Sequence, residues 1–303
     1  MLLTNGERQE NVIIKEYKMK NLDIVYILRN SGTRWMNNEI KYSIRSVEKN
    51  FSFNNIWIIG NLPPFFNDKK IGNIKSDDPY SNKLKNALHK ISLACKDERV
   101  SDNFILMNDD FFLLKKIDEI KFFNKGKLEA SKKNHSTKGG YYYRAICNTL
   151  EALKDMGINN PIDYEVHYPI MINKRKFLET MDTISDSDGI LFRSIYCNLN
   201  KIDSKYRRDV KIFDIKQLAK YKRNDIISTD DRVVTTDKFQ KWIKEIFKEK
   251  TIYEKTPITV YTPKDMFFYN GKKYNNGDLI LEEVSDLIAS KNNLIKLKRL
   301  FYK

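Results

Sequence analysis

The run Asn103-Phe104-Ile105-Leu106-Met107-Asn108-Asp109-Asp110-Phe111-Phe112 sets two expectations together. Its first five residues, mostly apolar, read as a buried strand, and a second apolar run over 111–114 follows Asn108, Asp109 and Asp110. Adjacent carboxylates at the carboxyl end of an interior strand repel each other, and burying either one unpaired costs on the order of several kcal/mol. A cation is the compensation such a pair calls for. Hard oxygen ligands presented in this way suit Mg²⁺ or Mn²⁺, which can in turn hold a diphosphate. The plainer alternative is a strand-end turn with two solvated aspartates, since Asp is common in turns.

Upstream, Asp23-Ile24-Val25-Tyr26-Ile27-Leu28 reads as a first strand entering the polar turn Arg29-Asn30-Ser31-Gly32. Asn37 or Asn38 can cap a helix that carries Ile40, Ile44 and Val47 on one face and Arg45 elsewhere. Asn55-Ile56-Trp57-Ile58-Ile59-Gly60 supplies a second strand, stopped by Gly60 and Pro63-Pro64. Strand, helix, strand implies a parallel, right-handed crossover. After a turn at Ser76-Asp77-Asp78-Pro79-Tyr80, a helix is expected over 81–95, with Leu84, Leu88, Ile91 and Cys95 at helical intervals. The alternation predicts an α/β domain with a mixed, mostly parallel central sheet. Ligands of such sheets bind beyond the carboxyl ends of strands, where residues 29–32 and 108–110 would lie.

Downstream, 132–140 reads as a polar, glycine-containing loop, and a helix over 141–156 ends at Gly157. Residues 164–172, with His167 among them, are expected to be extended. Helices follow over 174–181 and 189–198, then a strand over 210–214 and another over 226–229 that enters the acidic turn Asp230-Asp231. Thr236 caps a helix bearing Phe239, Trp242, Ile243 and Phe247. Past Tyr253 the character changes. Ile258-Thr259-Val260-Tyr261 and Met266-Phe267-Phe268-Tyr269 flank turns, Asn270-Gly271 is a strong hairpin signal, and a helix over 281–300 has a basic end at Lys296, Lys298 and Arg299. The expected division is a main domain over 1–253 and a small hairpin-and-helix appendage over 254–303. No internal repeat is evident.

The 303 residues suffice for one large domain with an appendage, and 41% hydrophobic with 12% aromatic residues excludes global disorder. A formal charge of +15 favours an anionic partner: nucleic acid, an anionic glycan, a membrane surface or a phosphorylated donor. Cys95, Cys147 and Cys197 lack CxxC spacing and read as reduced core residues of a cytosolic protein, with neither a zinc site nor a disulfide framework. Residues 1–20 show no signal-peptide pattern, and no apolar run approaches the roughly 20 residues of a spanning helix.

Several motifs gain meaning together. Asn38-Glu39-Ile40-Lys41-Tyr42-Ser43-Ile44-Arg45-Ser46-Val47-Glu48-Lys49 and the strand over 56–60 resemble the second region of the Stealth-type sugar-phosphate transferases. That region continues through an asparagine and a histidine-bearing helix, matched by Asn82 and His89, into Asn-Asp-Asp, matched by Asn108, Asp109 and Asp110. Glu165-Val166-His167-Tyr168-Pro169 looks like the later histidine region, and Ile227-Ser228-Thr229-Asp230-Asp231 resembles the last acidic motif. The resemblance runs from about residue 23 to 254. The compact arrangement is also similar to short bacterial and phage proteins described as glycosyltransferases. Both groups imply a GT-A-like nucleotide-sugar fold. One departure is that the Stealth family has a Thr-Trp-Val-Asp-Gly-like sequence after its first strand, where this chain has Ile27-Leu28-Arg29-Asn30-Ser31-Gly32. The missing aspartate favours glycosyl transfer over phosphotransfer.

The chemistry expected is metal-dependent transfer from a nucleotide sugar, a UDP-sugar first, to a hydroxyl. Asp109 and Asp110 would hold Mn²⁺ or Mg²⁺ on the donor's diphosphate, helped by Arg45 or Arg193, whose planar fork suits phosphate oxygens. Arg29, Asn30, Asn82, His89 and Asn108 are the further donor-binding candidates, with a packing role for His89 as the alternative. His167 could be a metal ligand or handle the acceptor's proton. Asp230 or Asp231 could be the base if His167 is a ligand, and a helix-capping turn explains them too. His135 reads as solvated. Tyr141-Tyr142-Tyr143 beside Arg144 could stack on a base or sugar, although core and surface roles are the simpler reading. The acceptor is expected to be anionic, a glycan or modified phage DNA. The rivals are transfer of a sugar 1-phosphate to a glycan and a non-catalytic nucleic-acid-binding protein.

Overall fold

A computed structural model describes residues 22–184 and 189–255, with the backbone of 267–269 and 272–274. The chain divides into two compact units, Met1–Tyr253 and Glu254–Lys303, each described by itself.

The first unit is built on a five-stranded sheet in the order β3-β2-β1-β4-β7. β1 (Asp23–Ile27), β2 (Ile56–Ile59), β3 (Gly72–Ile74) and β4 (Asn103–Met107) are parallel, and β7 (Ile170–Asn173) closes the edge antiparallel to β4. The fold is mixed α/β with a mostly parallel centre, as the alternation in the sequence predicts. Near-continuous apolar strands follow from burial on both faces, because successive side chains point to opposite sides. Ile24, Tyr26, Ile105 and Met107 pack with Ile40, Ile44 and Val47 of α1 (Asn38–Asn50). Val25, Phe104 and Leu106 pack with Ile91 and Ala94 of α2 (Lys83–Lys96) and Phe177 of α5 (Lys174–Asp182) on the other face. Each such side chain, fully buried, contributes about 1.5–3 kcal/mol. Gly60 ends β2 at φ +125°, and a Cβ there would lie 2.6 Å from Leu28 O, so a side chain would collide with the chain leaving β1.

A second sheet, β5 (Phe111–Leu113), β10 (Ile226–Thr229) and β9 (Lys211–Ile212), lies directly after β4, with Phe111 opposite Ser228. Its free edge explains a buried polar stripe on α1. Ser43 Oγ donates to Phe111 O (2.5 Å), Asn50 Nδ2 donates to Leu113 O (2.6 Å), and Leu113 N–H donates to Ser46 Oγ (3.0 Å). The helix thus satisfies backbone groups that burial would otherwise leave unpaired. α7 (Leu218–Tyr221), α8 (Asp231–Val234) and α9 (Asp237–Ile246) cover this sheet through Leu218, Val233, Phe239 and Ile243.

Several boundaries differ from the sequence reading. The loop expected over 132–140 is confined to 136–139: α3 (Leu128–His135) takes its first four residues and α4 (Gly140–Asp155) begins at its end, because Leu128 is anchored in an apolar cluster with Ile146 and Leu150. Of the extended stretch over 164–172, only the part from Ile170 pairs as a strand. The helix expected from 189 starts at Phe192, as α6 (Phe192–Leu199), and the strand over 210–214 shrinks to β9. Asn37 takes the N-cap position of α1, but its Oδ1 accepts from Thr33 N–H (3.1 Å) rather than from the helix. Short β6 (Phe123–Asn124) and β8 (Lys205–Tyr206) pair in parallel.

In the second unit β11 (Phe267–Tyr269) and β12 (Lys272–Tyr274) pair antiparallel, Phe267 opposite Tyr274. The Asn270-Gly271 turn, the 258–261 run and the expected helix over 281–300 lie outside the described residues. Among those described, no helix is long and apolar enough to cross a membrane.

Candidate active site

The chain leaves β1 for β2 and β3 on one side, then returns to place β4 on the other. Strand order reverses between β1 and β4, and the loops leaving their carboxyl ends must diverge, which opens a crevice. A cleft of about 620 Å³ lies there, reached by both loops, by α2 and α6, and by residues 165–167.

Asn108 O accepts the N–H of Phe111 (3.3 Å), so Asp109 and Asp110 form the centre of the tight turn that joins the two sheets. One oxygen of Asp110, Oδ2, accepts from Ser228 Oγ (2.7 Å) and Thr229 N–H (3.3 Å) and meets Lys211 Nζ at 3.3 Å. Asp109 accepts no hydrogen bond from another described residue. Burial, then the neighbouring charges of Asp110 and Glu39, push its carboxyl up to about 8. Glu39, in the first turn of α1, is 2% exposed and accepts from Thr33 Oγ1 (2.7 Å). Burial raises its pKa too, with Asp231 and Asp110 adding to the effect. Thr229 Oγ1, also facing the cleft, is buried and has no partner among the described residues.

The opposing wall is cationic. Arg193 of α6 is 7% exposed, donates from Nη1 to Tyr168 O (2.6 Å), and senses the carboxylates of Glu165, Asp209 and Asp110. His167 places Nδ1 2.7 Å from Asp209 Oδ2. Burial pulls its pKa down and Asp209 pulls it back up, with a net lowering. The imidazole is therefore neutral near pH 7, its Nδ1–H donating to Asp209 and its Nε2 lone pair without a described partner. Lys90, 2% exposed, donates to Leu28 O and Asp78, fixing the loop that leaves β1.

Of the residues proposed from the sequence, Arg29, Asn108, Asp109, Asp110, His167, Arg193 and Asp231 share this cleft. Arg29 and Asp231 form an exposed ion pair at 3.8 Å, which contributes little to stability and leaves both groups accessible. The others lie elsewhere. Arg45 donates to Phe247 O (2.8 Å) and Lys248 O (3.4 Å) beyond the end of α9. Asn82 caps α2 and bonds to Tyr141, while His89 sits edge-on to Tyr80. Asp230 caps α8 and holds Arg232 (2.7 Å). Asn30 N–H and Nδ2 donate to Asp78 (2.7 Å) and Asp77 (3.2 Å). Sequence reasoning missed Glu39, Lys90, Asp209 and Lys211. Only Glu39 had a local signal, an acidic residue in the first turn of the helix after β1.

Two aspartates supply fewer ligands than the six or so oxygens that Mg²⁺ or Mn²⁺ takes, and no group of three His, Cys, Asp or Glu among the described residues is arranged to hold a metal. A divalent ion here would complete its shell with water or phosphate oxygens. The unpartnered Asp109 carboxylate and the orphaned Thr229 hydroxyl fit such a guest.

No protein-family model matches the chain, and no curated protein does; the Stealth-type resemblance rests on the motifs quoted above. Among solved structures, the galactosyltransferase LgtC in complex with donor and acceptor sugar analogues is similar at 10% identity and a TM-score of 0.42, over 74% of this chain and 96% of that one. The apo-form glycosyltransferase GlyE of Streptococcus pneumoniae TIGR4 is similar at 11% identity and a TM-score of 0.35, over 75% of this chain and 60% of that one.

Proposed function

We propose that the chain is a metal-dependent glycosyltransferase of GT-A-like architecture that moves a sugar from a nucleotide-sugar donor to a hydroxyl. One observation carries the reading: Asp109, an unpartnered carboxylate repelled by Asp110 and Glu39, lies at the strand-order reversal in a cleft that also holds buried Arg193. A bare acidic cluster of this kind is costly to the apoprotein and is stabilised by a divalent cation.

Asp109 and Asp110 would hold Mn²⁺ or Mg²⁺, which when bound neutralises charge on the departing diphosphate. Arg193 has N–H groups left over from Tyr168 O that would serve phosphate oxygens, with Lys211 and Arg29 adding positive charge to the same cleft. Lys90 keeps the β1 loop in place beneath the donor. His167 either completes the cation's shell or handles a proton through Nε2. The charge of +15 supports an anionic acceptor, a glycan or DNA.

The test is a panel of nucleotide sugars incubated with Mn²⁺ or Mg²⁺, reading the released nucleotide. Release of a nucleoside diphosphate that Asp109→Asn abolishes is expected. Release of the monophosphate would instead identify transfer of a sugar 1-phosphate. Silence across the panel, with DNA binding that survives Asp109→Asn, would leave a nucleic-acid-binding protein.

A further inference from the structure

Glu165 and His167 both line the cleft, alternating with Val166, which is 2% exposed and packs into the core. The two side chains have different partners. The charges acting on His167 are those of Asp209, Lys211 and Asp110. Those acting on Glu165 are Arg193, Asp163 and Lys125, and the Tyr142 phenol senses Glu165 in turn.

Glu165 is also held in a lopsided way. Its Oε1 accepts both the N–H (3.0 Å) and the Oγ–H (3.1 Å) of Ser194, in the first turn of α6. Oε2 receives no hydrogen bond from any described residue. Ser194 is wholly buried, so the carboxylate is anchored through one oxygen and presents the other. The Phe192 and Tyr142 rings share the cleft with it, and an apolar ring face beside a carboxylate is a common way to hold a sugar.

We propose that Glu165 is the catalytic base, its Oε2 receiving the proton of the acceptor hydroxyl. This rests on the glycosyl-transfer reading. The acceptor oxygen bonds to the anomeric carbon, its proton passes to Oε2, and the electron pair of the broken C–O bond leaves with the nucleoside diphosphate. The Arg193 guanidinium feels the charge of both this carboxylate and Asp110, so one cation serves the base and the leaving group. His167 is then left to the cation and the diphosphate.

Glu165→Gln keeps an oxygen for Ser194 and removes the proton acceptor. The assay uses the panel donor that yields most nucleotide, with Mn²⁺ and with water as the acceptor, together with calorimetric binding of the matching nucleoside diphosphate. Nucleotide release is expected to fall by about 100-fold or more while nucleotide affinity stays within about threefold of wild type. Glu165→Asp, which retains a proton acceptor on a shorter stem, is expected to keep at least about tenfold more activity than Glu165→Gln, and formate is expected to restore activity to Glu165→Ala. Release by Glu165→Gln within about threefold of wild type, or equal rates for the Asp and Gln variants, overturns the assignment and leaves the glycosyl-transfer reading standing. A wild-type protein that binds no nucleotide and releases none overturns both.

Discussion

Asp209 grips His167 at two points: Oδ2 lies 2.7 Å from Nδ1, and Oδ1 accepts the histidine's backbone N–H at 3.1 Å. Burial alone would raise the Asp209 carboxyl. The hydrogen bonds from His167 and the charge of Lys125, 3.2 Å away, outweigh it and hold the group well below the usual carboxylate range. The pair ties residues 165–167 to the segment entering β9, so the ring's aim depends on a contact between residues 42 positions apart.

Asp209→Asn tests whether that aim matters. The amide has one acceptor oxygen for two donors. With Oδ1 kept on the backbone N–H, its NH₂ faces Nδ1 and moves the imidazole proton to Nε2, turning an acceptor in the cleft into a donor. Nucleotide release is expected to fall about 10–100-fold, with the tautomer change visible in the ¹⁵N shifts of His167. Unchanged release alongside a changed tautomer would remove His167 from the chemistry.

Asp109 gives a pH-dependent prediction. Its folded-state pKa, about 8, lies above the ordinary 3.8, so the folded metal-free chain holds a proton that the unfolded chain has released. Its stability contribution is complete below about pH 4 and is lost as pH rises through 8. Asp109→Asn should therefore melt above wild type at pH 8, by several °C at about 2–4 °C per kcal/mol, and the gap should close toward pH 4. Mn²⁺ should raise the wild-type midpoint at pH 8 and leave the variant unmoved. A wild-type midpoint higher than the variant's at pH 8 without metal would contradict the repulsion at the turn.

The sequence exposed what local periodicity controls. Val25, Leu106 and Ile91 announce two strands and a covering helix, and the acidic turn after β4 is legible because adjacent aspartates between apolar runs need an explanation. It did not expose what the sheet brings together across distance. The grip of Asp209 on His167 and the ion pair between Lys211 and Asp110, 101 residues apart, have no local pattern. Arg45 and Asn82 are the converse: polar groups in motif-like stretches that satisfy backbone carbonyls and amides inside the fold. Residues 132–135 read as loop in the sequence because a polar surface hides the end of a helix pinned mainly by Leu128.

Arg45 separates a structural role from a functional one. Its guanidinium holds two carbonyls at the chain's exit from α9, and hydrogen bonds to a charged group are each worth about 1.5–3 kcal/mol. Arg45→Ala is expected to lower stability by about 2 kcal/mol in urea titration and to leave nucleotide affinity unchanged. A loss of affinity without a loss of stability would return this arginine to the site.

Arg193→Lys asks whether the buried cation acts through its charge or through its shape. Lysine keeps the charge but presents a compact ammonium instead of a planar fork, and a fork is what lets one side chain hold Tyr168 O with Nη1 while offering further N–H groups to a diphosphate. An ammonium that keeps Tyr168 O must withdraw from the phosphates, and one that reaches them leaves a buried carbonyl unpaired. Nucleoside diphosphate affinity in the presence of Mn²⁺ is therefore expected to weaken about tenfold, equivalent to about 1.4 kcal/mol, with affinity for the nucleoside alone unaffected. Equal weakening for nucleoside and nucleoside diphosphate would mean that Arg193 supports the cleft wall without touching the phosphates.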